Sequence, residues 1–74
     1  MFKAHSQEQL KALRVTAGER YTIEYRNKDY FNGEETVERG KGTAVVTEQG
    51  IFFNVEDPYG MEKLIMQARV IARG

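Results

Sequence analysis

The chain has 74 residues, with 11 Lys and Arg against 11 Asp and Glu, one His and no Cys. That length bounds it to one small domain, which keeps about 40% of its unfolded surface exposed after folding and is only marginally stable. Without Cys there is neither a disulfide framework nor a thiolate zinc site, in keeping with a reducing compartment. The balanced charge weighs against nucleic-acid binding through a net basic surface.

Residues 1–6 contain no apolar run long enough for a signal peptide or a membrane span, so a cytoplasmic chain without a membrane partner is expected. Ser6-Gln7-Glu8-Gln9 is a capping box, in which the Ser6 hydroxyl accepts from the Gln9 amide and the Gln9 side chain reaches back. Glu8 suits the positive first turn, and Leu10 and Leu13 make a short apolar stripe, so a helix is predicted over 6–14. Gly18 serves either as its C-terminal glycine or in a turn after a short strand at Arg14-Val15-Thr16.

Five strands follow, predicted over 20–31, 34–48, 51–57, 62–68 and 70–73. In the first, Tyr21, Ile23 and Tyr25 share one face. Asn32-Gly33 is the strongest hairpin signal in the chain. A two-residue turn there sets Tyr25 across from Gly40, Ile23 across from Gly42 and Tyr21 across from Ala44, large residues over small ones. Gly40 and Gly42 also allow the sharp bend that a closing barrel needs. The tip from Asn27 to Arg39 is polar on both faces and is expected in solvent.

Lys41 to Glu56 reads as a second hairpin about Gln49-Gly50, pairing Val46 with Phe53 and Ala44 with Val55. Ala44, Val46, Ile51, Phe53 and Val55 then face the core, and the opposite face is mostly polar. A turn over Glu48-Gln49-Gly50 with a bulge at Gly50 is the competing register, placing Val45 with Phe53. Asp57-Pro58-Tyr59-Gly60 is turn chemistry, after which pairing Glu56 with Lys63 brings Leu64 and Met66 onto the core face.

The expected fold is therefore mainly β with one N-terminal helix: a bent five-stranded antiparallel meander. Gly42-Thr43-Ala44-Val45-Val46, followed by Ile51 to Asp57, resembles the first signature of the Sm-like proteins. Residues Ile65 to Gly74 are similar to the second, which ends in an Ile-Arg-Gly type of segment. The resemblance implies a small barrel of the SH3-like and Sm-like kind, and RNA as an alternative ligand; fold alone does not assign function.

No nucleophile elbow, phosphate loop, zinc-protease or dinucleotide motif is present, so no enzyme and no cofactor are expected. His5 has no ligand partners nearby in sequence and is read as a residue packed beside the capping box. Asp29, Glu34, Glu35 and Glu38 read as a solvated acidic tip, not a Ca²⁺ site. Tyr30, Phe31, Phe52 and Tyr59 fall off the predicted core face, and exposed aromatics near turns anchor partners. Arg20, Arg26, Arg39 and Lys41 share the outer face of the first hairpin, with Arg26 directly opposite Arg39. That like-charge pair is unfavourable unless a carboxylate or a phosphate intervenes. The leading expectation is a small non-enzymatic adaptor of bacterial or phage type. It acts through a protein partner, with a homo-oligomer as one form, and anchors at Tyr30, Phe31, Phe52 and Tyr59. The alternative is an Sm-like RNA-binding protein using Arg26, Arg39, Lys41 and Asn54.

Overall fold

A computed structural model describes residues 2–28, 32–56 and 59–74, with the backbone alone at Lys28. It holds one helix, α1 (Gln7–Ala12), and five strands: β1 (Arg20–Lys28), β2 (Glu35–Thr47), β3 (Gly50–Glu56), β4 (Glu62–Ile65) and β5 (Ala68–Arg73). All pairings are antiparallel, in the order β4-β3-β2-β1-β5. The expected mainly-β fold with a single helix is therefore present. Only Met66 and Gln67 separate β4 from β5, yet these strands lie at opposite edges of the sheet. A two-residue link cannot span a flat five-stranded sheet, whose strands are about 4.8 Å apart, so the sheet must coil to bring its edges together. The ladder does not close, because β4 and β5 are not paired.

The enclosed face carries Tyr21, Ile23, Tyr25, Ala44, Ile51, Phe53, Val55, Ile65 and Ala68, and Leu10 enters the same core from α1. The Tyr21 and Phe53 rings meet edge to face with centroids 6.0 Å apart. The buried Tyr21 hydroxyl accepts from the Thr16 amide (2.8 Å) and donates to Glu19 (2.9 Å), so its polar end is satisfied.

The helix is shorter than predicted. The capping box at Ser6 is complete, and Leu10 is buried, but Leu13 is the C-cap and 43% exposed. The chain leaves α1 through a Schellman motif: Val15 N donates to Leu10 O and Arg14 N to Lys11 O. Arg14 occupies the left-handed position (φ 58°), where glycine is the usual choice. Gly18 is thus not the helix terminator. It takes φ 85° in the turn closed by Glu19 N donating to Thr16 O.

All three hairpin registers differ from expectation. In the first, Tyr21 lies opposite Gly42, Ile23 opposite Gly40 and Tyr25 opposite Glu38, a shift of two residues. Because side chains alternate with a period of two, the core face survives that shift. The shift also replaces the Arg26–Arg39 opposition by Arg26–Val37 and Glu24–Arg39, the latter pair bridged at 3.4 Å. Relief of like-charge contact favours this register. Lys28 pairs with Glu35, so Asn32-Gly33 lies inside a longer loop, where Asn32 Oδ1 accepts from Glu34 N.

The second hairpin is also shifted by two, pairing Val46 with Ile51 and Ala44 with Phe53. Glu48 and Gln49 form the loop, neither of the two expected turns, and Val46 is 51% exposed despite its core-side parity. The Gln7 side chain brackets Ile51 like a neighbouring strand, its Oε1 accepting from Ile51 N (2.7 Å) and its Nε2 donating to Ile51 O (3.1 Å). Gly50 sits at φ 139°, and a Cβ there would stand 2.7 Å from Gln7 Oε1. Only glycine admits that approach.

The third register is shifted by one: Glu56 pairs with Glu62 and Phe53 with Ile65. A one-residue slip exchanges the two faces. Ile65 is buried in place of Leu64 and Met66, which are 54% and 65% exposed. The strand predicted over 62–68 breaks at residues 66–67, and Ala68 opens β5.

Candidate interaction surface

The slip in β4 creates the most apolar part of the surface. Of the large apolar side chains exposed among the described residues, Tyr59, Met61, Leu64 and Met66 all fall within residues 59–66. β4 is an outer strand, hydrogen-bonded to β3 along one side. A groove of about 280 Å³ runs beside it, lined by Phe2, Arg26 and residues 63–67. An edge of unpaired peptide groups beside apolar side chains is what an added strand recognises.

The predicted aromatic anchors separate. Tyr59 is 91% exposed at the turn that leads into β4. Phe52 lies on the outer face opposite Val45 but is only 8% exposed, so its position off the core face does not make it a surface anchor. Tyr30 and Phe31 lie outside the described residues. Asp29, from the acidic tip, does too; Glu34 and Glu35 are exposed.

The predicted basic set is likewise divided. Arg39 is held by Glu24. Arg26 stacks over the Phe2 ring (5.5 Å) and donates to Phe2 O. Lys41 and Asn54 do come together, with Arg20 and Thr43, in a shallow groove of about 60 Å³ that also holds Glu56 and Glu62. The facing carboxylates of Glu56 and Glu62, otherwise a repulsive pair, sit there beside Arg20 and Lys41.

A polar chain crosses the end of the coiled sheet remote from Gln7. Lys63 Nζ donates to Asn27 Oδ1 (3.1 Å), and Asn27 Nδ2 donates to Glu38 Oε1 (3.1 Å), linking β4 to β1 and β2. These residues line a cleft of about 490 Å³ with Tyr25, Gly40, Lys41 and Val55. Burial, and after it the charge and hydrogen bond of Glu38, raises the Tyr25 phenol above its ordinary value. Glu38 is exposed, like Glu34 and Glu35, and through Asn27 it also borders this mouth. Its partners Asn27 and Lys63 carry no sequence signal, because the link spans 36 residues and depends on the coil.

His5 lies before the capping box as expected, but its ring serves β5. His5 N donates to Ala68 O (3.0 Å), and Val70 N donates to His5 Nδ1 (3.0 Å). Desolvation, and after it the Arg69 charge, lowers the imidazole from its ordinary value, which favours the neutral acceptor this geometry uses.

Among the described residues no three His, Asp or Glu side chains converge as metal ligands would, and no helix is long and apolar enough to cross a membrane. In comparisons with known proteins, no family model, no curated protein and no solved structure matches the chain.

Proposed function

We propose that this chain is a small non-enzymatic interaction module that binds a partner protein by strand addition along β4. The observation that carries the reading is the coincidence of a one-sided outer strand with exposed Leu64, Met66, Met61 and Tyr59. The partner supplies an extended backbone to the strand edge and apolar side chains to the groove beside Phe2. A second copy of the chain is one such partner, and light scattering distinguishes it from a foreign one. The polar groups at the mouth of the sheet are already hydrogen-bonded to each other, which favours a structural role for them over catalysis.

Site-specific photocrosslinking tests the reading. A photoreactive residue at Leu64 should form a discrete protein adduct, whereas one at the comparably exposed Val46 should not. Equal labelling from both positions, or none from Leu64, sinks it. The alternative, RNA binding in an Sm-like manner, draws support from the convergence of Arg20, Lys41 and Asn54. It requires a single-stranded RNA gel shift that weakens steeply with salt and is lost in Lys41→Ala.

A further inference from the structure

The outer edge of β5 is covered by the chain itself. Residues 2–5 run beside it, held by the two His5 bonds, by Arg69 Nη1 donating to Lys3 O (3.5 Å) and by Arg26 on Phe2. The His5 pattern is that of a parallel strand bridge about Arg69, with Nδ1 standing where a strand's own carbonyl oxygen would be. The edge thus already accepts an extended backbone. One backbone bond, His5 N to Ala68 O, is answered by a ring nitrogen in place of a carbonyl, and that acceptor is titratable.

We propose that residues 2–5 are an acid-released strap, which covers the β5 edge while His5 is neutral and leaves it when His5 is protonated. Protonated imidazole has no lone pair at Nδ1 and cannot accept from Val70 N. The charged groups around the strap are Lys3 on the strap, Glu8 in the first turn of α1, Glu24 and Arg26 on β1, and Arg69 on β5. Arg69 is the one that acts on the ring, and it repels a second positive charge. Glu24 shares a cleft with Lys3 and Arg69 and is further engaged by Arg39. Release frees Ala68 O as an acceptor and Val70 N as a donor. The release itself does not depend on the β4 reading, and the two edges are tested by different signals.

The experiment is an amide-resolved NMR pH titration of the full chain. As pH falls below 6.5, the Val70 amide should shift with the His5 ring, and its protection factor (observed against intrinsic exchange) should fall by up to about tenfold per pH unit for one linked proton until the folded imidazole itself titrates. Tyr21 and Phe53 should keep their dispersion. His5→Ala should show low Val70 protection already at neutral pH and no further loss in acid, and Arg69→Gln should move the midpoint upward. A Val70 amide indifferent to His5 titration, or loss of core dispersion in the same step, overturns the proposal.

Discussion

The two outer strands manage their edges in opposite ways. β5 is tied to β1 on one side and to His5 on the other, and Arg73 near its end donates to Leu13 O (2.9 Å) and Arg14 O at the close of α1. β4 has its ladder to β3 and the Lys63–Asn27 bond, and beside its other edge lies a groove instead of a strand. An open edge is an association hazard that folded chains ordinarily blunt with charge, a bulge or a cover. Here one edge is covered and the other carries apolar side chains. The difference is that β5 has a second layer of hydrogen bonds from residue 5, whereas β4 borders an apolar groove.

The sharpest way to break that comparison is to exchange the two faces of β4. Ile65→Ala removes a buried side chain and should cost about 2–5 kcal/mol in chemical denaturation, whereas Leu64→Ala should stay within about 0.5 kcal/mol. The reverse ranking would mean that β4 pairs in the other register and presents no apolar edge. Next in size is Gly50→Ala. A Cβ at that site lies 2.7 Å from Gln7 Oε1 at a backbone φ of 139°, so the bracket on Ile51 must open. We expect a loss of about 1–3 kcal/mol, with α1 and the strap that precedes it loosened together. A Gln7→Ala background should reduce the penalty, since the clash then has no partner.

His5→Ala should cost about 1 kcal/mol, the worth of one hydrogen bond, and it sharpens the contrast by stripping β5 of its cover. Its pH dependence has a definite sign. The folded imidazole titrates below its ordinary value of 6.5, so its contribution is present above pH 6.5 and is lost as pH falls through the folded value. Thermal melts of the parent should therefore decline in acid more steeply than those of His5→Ala. The smallest effect is a gain. Arg14→Gly removes the left-handed strain at the end of α1 and should add about 0.5–1 kcal/mol, provided the Arg73 bonds to the adjacent carbonyls persist.

How much of this was legible beforehand depended on the range of the interactions. The capping box, the Tyr21-Ile23-Tyr25 face and the alternation of β3 could be read directly, because they involve residues within a few positions and a period of two. The core faces of β1 and β2 survived a register error for the same reason: a shift of two leaves parity intact. The surface was less legible. Leu64 and Met66 were expected inside and lie outside, since a turn motif limits the length of a connection without setting its parity. Phe52 was expected outside and is buried, because pattern assigns a face and says nothing of how much covers it.

Local chemistry thus dictated that the chain would make one short helix and five amphipathic strands, since propensity, capping and alternation act over neighbouring residues. Which residues faced each other across those strands, and which edge stayed open, were decided by contacts that join distant parts of the chain. Gln7 on Ile51, Glu24 on Arg39, Lys63 on Asn27 and His5 on Val70 are contacts of this kind, each compatible with the pairings that formed and joining segments that local pattern leaves unconnected. A strand's backbone bonds are nearly identical in every register, so the choice falls to the side chains that meet only once the sheet has coiled.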